Sequence, residues 1–376
     1  MAPINATAEG FGWYGSGRAL LAAMEQAIHQ AHRSIQLETY IFAPDETGTR
    51  FCEALAAAAR RGVQVEVLAD AFGSRATPED FFNRVLRAGG RVKRFTATHL
   101  GRLALRDHRK LLLVDEAQAF VGGCNLANEY DGDGITHGWR DGGVSLGGPL
   151  LPVLGEEFAD QWARADAGKW HLPPGGYART HAADPRVRAL CLKPGFGPSA
   201  LRRALREDLA RARDIAITTA YFLPSWRLLR QLMSADRRGA RVRILLAGRS
   251  DVPLMTLASR SLYRALISSG VEIFEYQPQI LHAKTLILDG VVYAGSSNLD
   301  PRSLRLNFEL MLRIEDPALA AAASTQFEAD LAHSRPIHAG NSWLQWSAWT
   351  RLKQRFARFV LARLDPWFAR EQLRRL

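Results

Sequence analysis

The sequence predicts an α/β fold built twice: two tandem α/β sandwich repeats, packed about a pseudo-two-fold axis, with one active site at their seam. Three observations predict it. Helical and strand patterns alternate in the same order in both halves, each half closes on the same polar motif, and a Pro/Gly-rich stretch separates them.

In the first half, RALLAAMEQAIHQAHRS has helical spacing and runs into the strand pattern SIQLETYIF. FCEALAAAARRG then leads to VQVEVLAD, and FFNRVLRAGG leads to RVKRF. The second half repeats the order with SALRRALREDLARARD, IAITTAYF, LLRQLMSADRRG, ARVRILLAG, SLYRALISSG and VEIFEY. Tyr40, Phe42 and Pro44 match Tyr221, Phe222 and Pro224, and Arg60-Arg61-Gly62 matches Arg237-Arg238-Gly239. Glycine closes helices here as a C-terminal cap should. Such alternation indicates parallel β–α–β units. The expected boundaries are a first repeat at 1–168, a linker at 169–185 around HLPPGGYARTHAADP, a second repeat at 186–335 and a tail at 336–376. Duplicated units that pack about a pseudo-two-fold axis bring equivalent strands face to face.

The first half closes on DHRKLLLVDEAQAFVGGCNL, from Asp107, and the second on LHAKTLILDGVVYAGSSNLD, from Leu281. His108, Lys110, Asp115 and Asn125 correspond to His282, Lys284, Asp289 and Asn298. Residues i and i+2 of a strand share a face, so each His/Lys pair projects together. Six of the 49 basic residues are lysine, and two of those six stand in these motifs. A compact ammonium there suits a phosphate oxygen. Protonated lysines repel cations, and the chain has neither zinc-spaced Cys/His clusters nor a carboxylate-rich loop for magnesium. The expectation is an anion site with no metal and no cofactor. Lysine and asparagine would donate to non-bridging phosphate oxygens, with imidazole as nucleophile or acid.

The 376 residues, 47% hydrophobic and 23% charged, belong to a globular chain. A net charge of +11 implies a polyanionic partner, and charge alone does not choose between nucleic acid and anionic lipid. Cys52, Cys124 and Cys191 are scattered and read as reduced packing residues. No apolar run is long enough to span a bilayer, and the first residues lack signal-peptide order. From Asn341, Trp343, Trp346, Trp349, Phe356, Phe359 and Trp367 interleave with Arg351, Lys353, Arg355, Arg358 and Arg363. That pattern fits an interfacial helix on an anionic bilayer, or a helix that packs its aromatics on the domain.

The paired HxKxxxxD motifs with trailing glycine and asparagine resemble the phospholipase D superfamily, and within it the shorter bacterial cardiolipin synthases without N-terminal membrane helices. LETYIFAPDETG, WRDGGVSLGGP and SSNLDPRSLRLNFEL extend the resemblance to about Ser334. It implies two phospholipase D-like repeats and a phosphohistidine intermediate, with His108 as nucleophile and His282 as general acid. It places Lys110 and Lys284 in the catalytic set with Asp115 and Asp289, although the hairpin position of these aspartates suits turn anchoring equally. Asn125, Asn298 and Ser296 are then expected at the substrate phosphate, and Asp141 and Glu309 on the imidazoles. Two departures stand out: Gly123 occupies the place of Ser296, and the turn after Asp289 is one residue shorter than that after Asp115. The implied function is cardiolipin synthesis, by transfer from a second phospholipid to phosphatidylglycerol at an anionic membrane. The chain would sit peripherally on the cytoplasmic face of the cell membrane. The alternatives are a phospholipase D hydrolase or a nucleic-acid phosphodiesterase. LDPRSLRLNFE and the aromatic tail speak against a nucleic-acid partner. The sequence leaves the phosphatidyl donor and the oligomeric state open.

Overall fold

The computed structural model describes residues 10–95, 105–166, 179–195, 199–338 and 347–364. The first repeat comprises β1 (Phe11–Tyr14), α1 (Gly17–Gln30), β2 (Ser34–Thr39), α2 (Glu46–Arg60), β3 (Gln64–Asp70), α3 (Asn83–Arg87) and β4 (Arg91–Phe95). It continues through β5 (Arg106–Asp107), β6 (Leu111–Val114), β7 (Gln118–Gly122), β8 (Gly143–Leu146) and α4 (Leu151–Asp166). The second opens with β9 (Arg179–Asp184), β10 (Val187–Leu192), α5 (Ala200–Leu209), β11 (Asp214–Thr219), α6 (Trp226–Arg237), β12 (Arg241–Ala247), α7 (Pro253–Ile267) and β13 (Glu272–Tyr276). It closes with β14 (Lys284–Leu288), β15 (Val291–Gly295), α8 (Pro301–Arg305), β16 (Asn307–Glu315), α9 (Pro317–Ala332) and β17 (Ser334–Ile337), followed by α10 (Ala348–Phe359).

The helices start where short polar side chains can take an orphan backbone N–H. Ser16, Asp45, Ser199, Ser225 and Asp316 each accept from the residue three positions on. Each repeat builds one sheet, in the orders β1-β8-β7-β6-β2-β3-β4 and β17-β13-β12-β11-β14-β15-β16-β10-β9. The predicted parallel units are β2-β3-β4 and β11-β12-β13. The hairpins and the strands beyond them are antiparallel, so both sheets are mixed. Two-residue and three-residue turns can join only antiparallel strands.

Helices α1, α2 and α3 cover the outer face of the first sheet, and α5, α6 and α7 that of the second. Between the sheets lie α4 and α9. Leu154, Phe158, Leu319 and Phe327 from these helices join Val121 and Val144 of one sheet and Ala294 and Leu312 of the other in a single apolar core. The repeats are thus fused along a shared interior.

Two predicted boundaries look different in the structure. The expected linker ends in strand β9, which hairpins onto β10 in the second sheet, while its residues 169–178 lie outside the described residues. The expected tail begins inside β17, which pairs with β13. Trp343, Trp346 and Trp367 lie outside the described residues. Helix α10 packs on α7, burying Gln354 and Ala357, and turns Trp349, Leu352, Phe356 and Phe359 outward. The helix thus docks on the domain, as one of the two readings expects, but through Gln354 and Ala357 and not through its described aromatics. No described helix is long and apolar enough to cross a membrane.

Candidate active site

His108 and His282 lie where the sheets meet, each in the segment that leads into its hairpin. The backbone makes the junction. The N–H of His108 donates to the Phe308 carbonyl at 3.0 Å, beside the parallel pairing of β5 with β16. In the other direction, the His282 N–H donates to the Arg140 carbonyl at 2.8 Å. Each histidine segment is thereby stapled next to an acidic residue of the opposite repeat.

The side chains follow the same exchange. His108 Nδ1 lies 3.0 Å from Glu309 Oε2, and His282 Nδ1 lies 2.6 Å from Asp141 Oδ2. With Nδ1–H donated to a buried carboxylate, the tautomer is fixed and Nε2 keeps its lone pair. Both orienting residues were anticipated from the sequence; the crossing between repeats was not. Glu309 also accepts from the Ser296 hydroxyl (2.5 Å) and the Asn307 amide (3.1 Å). Asp141 accepts from the Gly142 N–H at 2.8 Å. Beside it, Arg140 makes a buried two-point ion pair with Asp330, at 2.7 and 2.8 Å, which pins the strap across the seam.

The missing hydroxyl of the first repeat has a steric reason. A Cβ on Gly123 would stand 2.4 Å from Asp141 Oδ1 and 2.5 Å from Oδ2. Glycine leaves room for the carboxylate to lie where a serine would intrude. The shorter turn also has no consequence at the site. Leu111 pairs with Val121 and Thr285 with Ala294, and each asparagine follows four residues after its pair. The length difference is confined to the turn, Asp115-Glu116-Ala117 against Asp289-Gly290.

Lys110 and Lys284 sit at the seam with their ammonium groups turned toward the histidine backbone. Lys110 Nζ donates to the His108 carbonyl at 2.8 Å; Lys284 Nζ donates to the His282 carbonyl and lies 2.8 Å from His282 Nδ1. Burial pulls the Lys110 pKa down to about 7, with Glu309 opposing and Lys284 adding to the fall. Burial first, and then the Lys284 charge, pull the His282 pKa down to about 4. The His108 pKa is lowered chiefly by burial, against the pull of Glu309. Each lysine acts electrostatically on the histidine of the other repeat, so the four groups form one coupled set.

Five expected site residues are bonded within the protein. Asp115 accepts the backbone N–H groups of His32, Arg33 and Ser34 at 2.7–2.9 Å, and Asp289 those of Arg213 and Asp214. Both carry positive φ, 55° and 51°, at the hairpin turns. Five strand residues put each aspartate on the order of 15 Å from its lysine, with the histidine further back, so of the two expected roles these bonds support turn anchoring. Ser296 donates its hydroxyl to Glu309. The Asn125 carbonyl accepts from the Ile41 N–H at 3.0 Å and its amide donates to Tyr130 at 2.8 Å. The carbonyl of Asn298 likewise accepts from the Tyr221 N–H at 3.3 Å.

Sequence reasoning missed the aromatic wall. The Tyr40 ring is 4.9 Å from His108, and those of Tyr130 and Trp139 are 5.2 and 5.4 Å from His282. It also missed a buried charge network in the first repeat, where Arg109 meets Glu38 at 2.8 Å, Glu157 at 3.5 Å and Asp107 at 3.6 Å. Tyr40 was at least visible as a repeat match to Tyr221; Arg109 had no such signal, since Ala283 stands in its place.

Residues 24–130 and 205–331 match the family described as cardiolipin synthase, PLD-like domain. Cardiolipin synthase A of Pseudomonas entomophila (strain L48) is 34% identical over 338 residues, covering 87% of this chain and 69% of that protein. Cardiolipin synthase B of Escherichia coli (strain K12) is 33% identical over 322 residues, covering 80% of this chain and 75% of that protein. Among solved structures, phosphatidylserine synthase of Haemophilus influenzae Rd KW20 superposes with a TM-score of 0.68 at 16% identity, covering 97% of this chain and 96% of that one, a likeness of fold. With the family matched across both repeats, this chain belongs to the phospholipase D-like cardiolipin synthases.

Proposed function

We propose that the chain is a phosphatidyltransferase that makes cardiolipin, moving a phosphatidyl group from one phospholipid to the free hydroxyl of phosphatidylglycerol. The observation that carries the mechanism is the crossed pairing of His108 with Glu309 and His282 with Asp141. His108, the more accessible imidazole, attacks the donor phosphorus through Nε2. The bond from phosphorus to the leaving alcohol breaks, and that oxygen takes the proton of His282. The acceptor hydroxyl then gives its proton back to His282 as its oxygen attacks phosphorus and the P–N bond breaks. One phosphodiester replaces another, so no nucleotide is consumed.

The electrostatics suit an anionic substrate. A diester between Lys110 and Lys284 offsets the repulsion from Lys284 that lowers the His282 pKa, so His282 takes up the proton it donates. The non-bridging oxygens likewise favour the ammonium forms of Lys110 and Lys284 against the burial that lowers their pKa values. The outward aromatic face of α10 would hold the chain peripherally on the bilayer.

The test uses the purified full chain with phosphatidylglycerol vesicles, with and without phosphatidylethanolamine, in excess EDTA. Cardiolipin should form, with glycerol or ethanolamine released according to the donor. His282→Ala should leave a phosphorus adduct on His108 with a substrate whose leaving group needs no proton. Phosphatidic acid as the sole product, or activity abolished by EDTA and restored by zinc, sinks the reading.

A further inference from the structure

On the outer face of the second sheet, away from the seam, α5 and α6 enclose a groove of about 940 Å³. Six arginines line it: Arg202, Arg203 and Arg206 from α5, and Arg227, Arg230 and Arg238 from α6 and its end. We propose that this groove is a second phosphate site, which takes the phosphodiester headgroup of an anionic phospholipid in the bilayer while the reaction proceeds at the seam. The proposal rests on the reading above only in that the chain works at a membrane.

The charge arrangement is costly without an anion. Like charges three or four residues apart on a helix repel, as Arg203 and Arg206 do on α5 and Arg227 and Arg230 on α6. No acidic residue is among the described residues that line the groove. Burial, and then repulsion from Arg305, Arg206 and Arg227, hold the Arg202 pKa below its ordinary value. Both capping serines, Ser199 and Ser225, line the groove, so the N-termini of both helices add partial positive charge to it. Planar guanidinium forks match phosphate oxygens two at a time.

The duplication supplies an internal comparison. In the first repeat the equivalent groove, of about 660 Å³ between α1 and α2, holds Arg18 and Arg50 together with Glu25, Glu46 and Asp131. Arg50 is bonded to Glu25 and Asp131 at 2.9 Å each, and Arg18 lies 3.8 Å from Asp131. The same place in the fold is there neutralised from within. Concentrated positive charge is therefore a property of this groove and no by-product of the architecture.

A lipid headgroup fits better than a nucleic-acid backbone. Trp226, more than half exposed, opens α6 beside the groove, with the Arg230 guanidinium 5.9 Å from its ring. The same outer layer carries α10, with Leu352 exposed among Trp349, Phe356 and Phe359. An aromatic rim could stack on bases, but exposed aliphatic surface of this kind is accommodated by acyl chains.

The test is binding without turnover, so that its failure leaves the seam chemistry standing. Sedimentation with phosphatidylcholine vesicles, with and without phosphatidylglycerol, compares two variants of equal charge. Arg203→Ala/Arg206→Ala/Arg227→Ala/Arg230→Ala removes four groove arginines. Arg60→Ala/Arg87→Ala/Arg237→Ala/Arg264→Ala removes four exposed arginines elsewhere. At about fivefold per arginine on an anionic surface, the groove variant should lose at least about 30-fold in affinity for phosphatidylglycerol vesicles, and the control under about threefold. Circular dichroism checks the fold; if the groove variant unfolds, Arg203→Gln/Arg227→Gln is read against Arg60→Gln/Arg264→Gln. Equal losses in both variants overturn the site. So does a groove-dependent affinity for soluble glycerophosphoglycerol or for an oligonucleotide with vesicle binding undiminished.

Discussion

Gly123→Ala isolates the positioning of His282 with one methyl group. The new Cβ would stand 2.4 and 2.5 Å from the two Asp141 oxygens, well inside van der Waals contact. The carboxylate cannot yield freely, because it is held by His282 at 2.6 Å and by the Gly142 N–H at 2.8 Å. Arg140 in addition holds the Asp141 backbone carbonyl at 3.0 Å. The methyl therefore moves the carboxylate off the imidazole while leaving every titratable side chain in the protein. A hydrogen bond to a charged group contributes about 1.5–3 kcal/mol, so turnover should fall roughly 10- to 150-fold. Overpacking should cost about 1–3 kcal/mol of stability. Ser296→Ala is the companion, since it removes a hydroxyl from Glu309 without adding volume. Asn307 still holds Glu309, and a loss of about 0.5–1.5 kcal/mol predicts a smaller fall, at most about tenfold. Both variants are assayed for initial rate on a soluble aryl phosphodiester and for thermal midpoint. A folded Gly123→Ala enzyme at wild-type rate would refute the claim that Asp141 must sit against His282.

Asp115→Asn and Asp289→Asn should lower stability by about 1 kcal/mol each through weakened backbone anchoring, with turnover of the folded protein within about twofold; a hundredfold rate loss at unchanged melting temperature would return these residues to the chemistry. His282, with its pKa lowered from about 6.5 to about 4, is neutral when folded while the unfolded chain takes a proton, so its contribution to stability is present above pH 6.5 and is lost as pH falls toward 4. Urea melts of wild type and His282→Gln between these limits should therefore converge with acid by on the order of 2–3 kcal/mol, and parallel curves contradict the burial argument. Trp349→Ser/Phe356→Ser/Phe359→Ser alters outward residues of α10 and spares Gln354 and Ala357, so vesicle binding should weaken with little change in melting temperature; undiminished binding excludes α10 as the anchor.

The helices and strands around the first three crossovers of each half were legible because each buries one face and so carries a clear period. Helices α4 and α9 were not. They lie between two sheets, and on α9 the exposed Ala318, Ala321 and Ala329 are as apolar as the buried Ala320, Ala322 and Ala323, while Asp330 is buried, so the sequence shows no stripe although one face is covered. At the site, the His/Lys pairs could be read because chemistry and spacing coincide within three residues. Asp115 and Asp289 share that local spacing, and their hairpin position left catalysis and turn anchoring equally open in the sequence; the backbone N–H groups they accept favour the latter. The partnering of Asp141 with His282 spans 141 residues and depends wholly on how the repeats dock.

That docking makes the site a property of the pair of repeats rather than of either one. Neither imidazole has its carboxylate within its own repeat, so a repeat standing alone would keep a histidine and a lysine but lose the acceptor that fixes the tautomer. The Arg140–Asp330 ion pair lies across the same junction, with both partners almost fully buried. Breaking one side of such a pair typically costs about 3–5 kcal/mol, so the junction has little freedom to open partway. The exchange is nevertheless unequal. One histidine is held by a glutamate that is itself held by Ser296 and Asn307; the other is held by a shorter aspartate lying over a glycine. Two-fold symmetry would give both imidazoles the same proton affinity and the same access. The substitution of Gly for Ser and Asp for Glu breaks that equality, leaving His282 deeper and His108 more open. The proposed roles of nucleophile and acid call for different environments, and the two histidines differ both in exposure and in the carboxylate that holds them.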